Sequence, residues 1–276
     1  VSFIPSYASY LGVDPEKTMD ALIQDVHVRH FRLVSYWNEI EKTKGQYDFS
    51  QLDWQFKKAE AAKAKVNLAI GLRQPRWPEC HAPSFYDTSR PQNTWYPQLE
   101  TYMKAVINRY QHSPALQTYQ LENEFYLDDF GKCPPSDSKR LASELAFVRS
   151  IDNKHPIILS RSNNFPLYTS DQAGGDILGI SVYRRVWDAN ITHRYFTYPM
   201  PSWYYAYLAG IQQIRTGQPV VLHELQAESW PPNGKSIPQI SVAEQDKSFN
   251  AKRFKSTVSF GKQTGLKSID LWGAEY

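Results

Sequence analysis

Two apolar runs of this chain end in carboxylates. Residues 118–121 lead into Glu122-Asn123-Glu124-Phe125, an amide flanked by acids, and Pro219-Val220-Val221-Leu222 leads into His223-Glu224. Burying a carboxylate is costly unless it is paired, hydrogen-bonded or used in chemistry. Two strands that each bring a Glu to the C-terminal edge of a parallel sheet supply what glycoside cleavage by two carboxylates requires. The plainer reading makes each Glu a solvated strand end. About 100 residues separate Glu124 from Glu224, the length of three β/α units of roughly 30 residues.

The elements that must position these groups follow from periodicity. Strands are predicted over residues 3–7, 30–35, 66–71, 118–121, 156–160, 177–183, 219–222 and 268–272. Helical spacing links Met19, Leu22, Ile23 and Val26 behind an Asp14-Pro15 start, with Asp as cap and Pro at the first helical position. Ser50 is expected to cap a helix through Leu52, Phe56 and Ala59. Further helices run through Leu99, Met103, Val106 and Tyr110, through Leu141, Leu145 and Val148, over residues 203–215, and through Ala251, Phe254 and Val258. The connection around Gly174-Gly175 has room for a stunted helix at most. Long loops are expected over residues 73–97, around Trp187, Tyr195 and Tyr198, and from Trp230-Pro231-Pro232 onward. Eight strands alternating with helices imply a parallel sheet closed into a barrel. The expected fold is α/β, a single (β/α)8 (TIM) barrel over residues 1–276 that ends after its eighth strand without a last helix. The natural chain is then expected to be longer, or another segment to fill the groove left open. An open doubly wound sheet is the alternative, weakened because no Gly-rich nucleotide fingerprint follows the first strand.

Composition excludes several classes. The 276 residues carry a formal net charge of +3 and no Lys/Arg run, so no nucleic-acid partner is expected. No apolar run approaches the roughly 18 residues of a membrane span. The chain opens on Val1 rather than Met, as it would with a leader removed or left off. Aromatics make up 14% of the chain, with 8 Trp and 18 Tyr, more than a core of this size needs. Rings that stack on partly apolar sugar faces account for such an excess, and aromatic core packing accounts for part of it. The two cysteines, Cys80 and Cys133, fall in loops after neighbouring strands. A disulfide between them would imply an oxidising compartment, and two unrelated thiols are the alternative. No His/Cys cluster has metal-ligand spacing, so neither metal nor cofactor is expected.

The ends of the fourth and seventh predicted strands resemble clan A of the glycoside hydrolases, the retaining (β/α)8 enzymes that include cellulases, mannanases and β-galactosidases. Asn123-Glu124 is similar to the clan's strand-four motif, in which Asn precedes the acid/base Glu. The longer Gln120-Leu121-Glu122-Asn123-Glu124-Phe125 resembles the β-galactosidase-type families 35 and 42. Arg32-Leu33-Val34-Ser35-Tyr36-Trp37 resembles the strand-two Arg motif of family 5. The resemblance implies Glu224 as nucleophile, Tyr183 as a ring that hydrogen-bonds it, and Trp272 as the platform under the cleaved sugar. It departs from the clan in its truncated end and in His223 before the nucleophile.

In the implied double displacement, Glu224 attacks the anomeric carbon. Glu124 protonates the departing oxygen and then deprotonates water, so it must be held protonated by burial and by the other carboxylate. Arg32 and Tyr183 are candidate stabilisers of an ionised Glu224, and Asn123 a holder of the sugar 2-hydroxyl. Trp37, Trp77, Trp95, Trp187 and Trp230 follow strands, and two or three of them, Trp37 and Trp230 first, are expected to line sugar subsites. Each role has a rival. Simple alternation puts Glu122 on the face of Glu124, where Arg32 would pair with it. Tyr183 and Trp272 would otherwise fill the barrel. Glu228 and Glu275 are spare carboxylates that replace Glu224 if the register slips. His223 alternates away from Glu224 and reads as packed. The expected partner is an oligo- or polysaccharide, the expected state a monomer, the expected location extracellular or cell-surface. Endo action on a β-glucan or mannan suits the loop tryptophans, and exo β-galactosidase action suits the strand-four motif. A non-catalytic carbohydrate-binding barrel is opposed by the two intact Glu. A metal-dependent lyase or an aldolase lacks its strand-end Lys or carboxylate cluster.

Overall fold

The computed structural model describes residues 1–128, 130–162 and 174–276. In chain order the elements are α1 (Pro5–Tyr10), α2 (Pro15–Gln24), β1 (His30–Val34), α3 (Trp37–Ile40), α4 (Ser50–Ala61) and β2 (Lys65–Ile70). There follow α5 (Tyr96–Tyr110), β3 (Leu116–Leu121), α6 (Ser138–Ile151), β4 (Ile157–Ser162) and β5 (Ile177–Val182). The remainder is β6 (Arg185–Asp188), β7 (Arg194–Thr197), α7 (Ser202–Thr216), β8 (Val220–Gln226), α8 (Val242–Ser248), α9 (Ala251–Gln263) and β9 (Ile269–Trp272). Seven strands form one sheet in the order β1-β2-β3-β4-β5-β8-β9, and β6 pairs with β7 in a separate hairpin. This is an α/β fold of the (β/α)8-barrel class, as the alternation predicts.

The chain divides into two compact units. The first comprises Val1–Thr18, Ser162 and Gly179–Tyr276; the second comprises Met19–Arg161 and residues 174–178.

In the second unit β1, β2 and β3 pair in parallel, with Leu33 opposite Leu68 and Leu68 opposite Tyr119. Their buried residues are mostly apolar, Phe31, Leu33, Val66, Leu68 and Tyr119 among them, with the polar Arg32 and Gln120 buried beside them. Helix α5 covers them with Leu99, Tyr102, Met103, Val106, Ile107 and Tyr110, all buried on one stripe. Each such side chain contributes about 1.5–3 kcal/mol. Cys80 and Cys133 form a disulfide of 2.08 Å, so the pairing reading holds and the free-thiol reading does not.

In the first unit β8 and β9 pair in parallel and α9 lies against them. The approach is close at Gly261, where a Cβ would fall 2.6 Å from Leu225. Two expectations are corrected here. The strand predicted over residues 3–7 reduces to Ser2, whose N–H donates to the Leu271 carbonyl at 2.9 Å, and α1 begins at Pro5. Proline has no N–H for a ladder, and its fixed φ suits a helix start. The loop predicted to bear Trp187 and Tyr195 is the β6–β7 hairpin, and α8 lies within the long segment after Trp230.

Smaller differences occur in the second unit and at the join. Asp14 caps α2 as expected, accepting from the N–H groups of Glu16 and Lys17. Ser50 is the first helical residue of α4 and donates its N–H to Asp48 instead of capping. The stunted helix expected before β5 falls largely on residues 163–173, outside the described residues.

Candidate active site

In the second unit, β3 stops at Leu121, and the next turns leave strand geometry. Glu122 and Glu124 have φ of 55° and 43°, the left-handed region that side chains rarely adopt. Alternation therefore fails past Leu121, and Glu122 does not share a face with Glu124 as expected. The Glu122 carboxylate accepts the backbone N–H groups of Leu72 at 2.6 Å and Arg73 at 3.0 Å, with Arg140 3.8 Å away. Gly71 leaves the room: a Cβ there would lie 2.4 Å from Glu122 Oε1. Glu122 is a structural anchor that fixes the turn, and the Arg32–Glu122 pair does not form.

Arg32, almost fully buried, donates instead to Gln120 Oε1 at 2.6 Å and Asn123 Oδ1 at 2.9 Å. Asn123 Oδ1 also accepts from Gln120 Nε2 at 2.9 Å and Ser160 Oγ at 3.3 Å. Its Nδ2 donates to Glu79 at 2.9 Å, which leaves the second amide N–H for a ligand. The N–H of Glu124 donates to Ser160 Oγ at 2.9 Å. Residues on β1, β3, β4 and the 73–81 loop thus hold Asn123 and Glu124. Glu79 reaches Asn123 from a loop tied by its neighbour Cys80 to Cys133.

In the first unit the ladder between β8 and β9 slips between Leu222 and Leu225, so His223 and Glu224 sit at a bulge. Bulges re-aim side chains and are frequent beside active sites. Glu224 Oε2 accepts the Tyr183 hydroxyl at 2.6 Å. Tyr183 meets Trp230 edge-on, with ring centroids 5.3 Å apart. His223 is fully buried with Nδ1 3.2 Å from Asp270, the packed histidine expected. The spare carboxylates are occupied: Glu228 accepts the Trp272 indole N–H at 2.9 Å, and Glu275 accepts the N–H of Ile4.

Of the predicted residues, Arg32, Asn123 and Glu124 come together in the second unit, and Tyr183, Glu224 and Trp230 in the first. Trp272 sits on β9 opposite Gln226, mostly buried. Trp37 is a correction. It is 0% exposed, stacks on Tyr86 and Tyr102, and donates its indole N–H to Glu41 at 2.6 Å, so it packs the core and offers no ring face. Trp95 is likewise buried, whereas Trp77 is 58% exposed. Sequence reasoning missed Glu79 and Ser160. The one signal for Glu79 was its place beside Cys80; Ser160 carried none.

No protein-family model and no curated protein matches the sequence. Solved structures do share the fold. A GH5_18 protein from Bifidobacterium longum subsp. longum, solved with Manβ1-4GlcNAc, superposes with a TM-score of 0.68 at 12% identity, over 99% of this chain and 67% of its own. A β-galactosidase from the haloarchaeon Halorubrum lacusprofundi gives 0.63 at 13% identity, over 99% and 52%. An exo-β-1,4-mannosidase from Opitutaceae bacterium strain TAV5 gives 0.62 at 13%, over 93% and 48%. The chain thus spans between about half and two thirds of the length of these three. The shared fold is the α/β barrel that the alternation of strands and helices predicts.

Proposed function

We propose that this chain is a retaining β-glycoside hydrolase, with Glu224 as nucleophile and Glu124 as acid/base. The observation that carries the reading is the Tyr183 hydroxyl 2.6 Å from Glu224 at the bulge of β8. A donor at that distance stabilises the ionised carboxylate and orients it. In the first step a Glu224 carboxylate oxygen bonds to the anomeric carbon as Glu124 gives its proton to the departing oxygen. In the second Glu124 takes a proton from water, which displaces Glu224. The unshared N–H of Asn123 suits the sugar 2-hydroxyl, a contact that strengthens as the oxocarbenium ion develops. Trp272 serves as the platform, and Arg32 sets the orientation of Asn123.

The substrate is a β-linked glycan. Endo action on a β-glucan or mannan rests on the loop rings still available, Trp77, Trp187 and Trp230. Exo action on a β-mannoside or β-galactoside is the second reading. It gains from the burial of Trp37 and Trp95, which shortens the row of platforms, and from the β-galactosidase and mannosidase among the structural relatives. The Cys80–Cys133 bond supports an extracellular or cell-surface location.

Aryl β-glycosides test the assignment. Glu124→Ala is expected to keep cleavage of a good leaving group, with azide rescue giving a product of retained configuration. Glu224→Ala is expected to lose turnover by about 10³-fold or more, with azide rescue, if any, giving inversion. Near-wild-type turnover by Glu224→Ala would remove the nucleophile.

A further inference from the structure

The first unit carries a cavity of about 680 Å³ that the two-carboxylate chemistry leaves unused. The β6–β7 hairpin forms one wall, and the segment after Trp230 forms the other. Four cations line it: Arg185, Arg194, Lys235 and Lys247. One carboxylate, Glu244, faces them, already accepting from Lys247 at 2.5 Å and the Tyr195 hydroxyl at 2.9 Å. Arg194 and Lys235 form no ion pair among the described residues. Asp188, opposite Arg194 in the hairpin, accepts instead from the N–H groups of Asn190, Ile191 and Thr192 and from the Thr192 hydroxyl. The cavity therefore holds a surplus of positive charge that the protein does not neutralise.

Two rings share the lining. Trp187 and Tyr195 meet edge-on with centroids 5.1 Å apart, and the Arg185 guanidinium lies over Tyr195. The Trp187 indole N–H is buried with no acceptor among the described residues. Rings beside unpaired cations fit a flat, partly apolar ligand that carries an anion. A neutral sugar would use the rings and leave the cations without a role.

The cavity is coupled to the Glu224 strand by the Gln226 side-chain amide, which clasps the Arg185 backbone. Gln226, two residues past Glu224, accepts the N–H of Arg185 at 2.8 Å and donates to its carbonyl at 2.7 Å. Arg185 in turn lies two residues past Tyr183, the donor to Glu224. The geometry points to an acidic-sugar subsite: the cavity binds a carboxylate- or sulfate-bearing residue of the β-linked glycan that Glu224 attacks. This rests on the glycosidase reading and narrows its substrate class.

The test compares kcat/KM on a neutral β-linked oligosaccharide and on matched oligosaccharides bearing one uronate or one sulfate ester. The wild-type protein is expected to favour at least one acidic substrate by about tenfold or more at low salt, and to lose that preference as salt rises. Arg194→Glu with Lys235→Glu is expected to abolish the preference, while Lys252→Glu, the same kind of change on an exposed α9 lysine, retains it. The arm that responds identifies the anion. Equal use of neutral and acidic substrates by the wild-type protein would overturn the subsite, as would a preference that survives the double charge reversal. If no glycoside is turned over, calorimetry with the same acidic oligosaccharides separates the two failures. Binding lost in the double variant upholds the subsite without the hydrolase, and no binding to the wild-type protein ends it.

Discussion

The ends of β3 and β8 each deliver a carboxylate, and they are built by opposite means. At the end of β3 the polar groups are buried in a closed network. Asn123 Oδ1 gathers donors from Arg32, Gln120 and Ser160, and its amide reaches Glu79. At the end of β8 a bulge turns Glu224, a partly exposed tyrosine donates to it, and a charged cavity adjoins the neighbouring hairpin. The difference teaches that one end is rigid because Arg32, Gln120, Asn123 and Ser160 are tied to one another. The other is positioned by backbone irregularity and keeps surface for a ligand. A change in the first should register in folding, and a change in the second chiefly in turnover.

Arg32→Met tests the rigid end and has the largest expected effect on stability. It removes the charge-assisted hydrogen bonds to Gln120 and Asn123, about 1.5–3 kcal/mol each, so the expected loss is about 3–5 kcal/mol. Denaturant unfolding measures it. A loss under about 1 kcal/mol would mean the network is not what holds Asn123 and Glu124.

That network was only half legible beforehand. Arg32, Asn123 and Glu124 stood out because residue type and strand-end position coincide. The role of Glu122 did not, because alternation holds only while φ stays extended, and the positive φ at Glu122 turns its side chain back to the N–H groups of Leu72 and Arg73. Glu79 and Ser160 come from other elements, and no local pattern announces a contact across more than 30 residues. The helices were legible wherever an apolar stripe repeats, as in α5 and α6. Phe3-Ile4-Pro5 looks extended in sequence, yet Pro5 favours the start of α1. The β6–β7 hairpin reads as loop because four-residue strands, with Val186 alone buried among them, leave no period to count. Its signal was the aromatic and β-branched content of Val186-Trp187 and Tyr195-Phe196-Thr197 around the Asp188 turn.

The loop that carries Glu79 offers a second way to sharpen the contrast. His81 stacks on Tyr36 with centroids 3.7 Å apart, and burial pushes its pKa down from 6.5 to about 4. The unfolded chain therefore binds a proton that the folded protein refuses between those two values. The contribution is fully present above pH 6.5 and is lost as pH falls towards 4, up to about 3 kcal/mol across the window. His81→Gln does not titrate, so its stability is expected to fall less steeply than wild type from pH 7 to pH 4.5 in denaturant unfolding. Parallel curves for the two proteins would show that His81 is not held neutral by the loop.

Tyr183→Phe probes the other end and carries the smallest expected effect on folding. The hydroxyl donates to a carboxylate from a partly exposed ring, so its loss is expected to cost about 1.5 kcal/mol, the low end for a charged partner. Turnover should respond far more, because the donor fixes the oxygen that attacks. A fall of about a hundredfold in kcat/KM on an aryl β-glycoside is the expected scale for removing one oriented donor. The ratio of the two effects carries the argument, since a packing defect lowers stability and turnover together. If Tyr183→Phe destabilised the protein as much as Arg32→Met while sparing kcat/KM, the end of β8 would be a second structural network, and the contrast between the two strand ends would collapse.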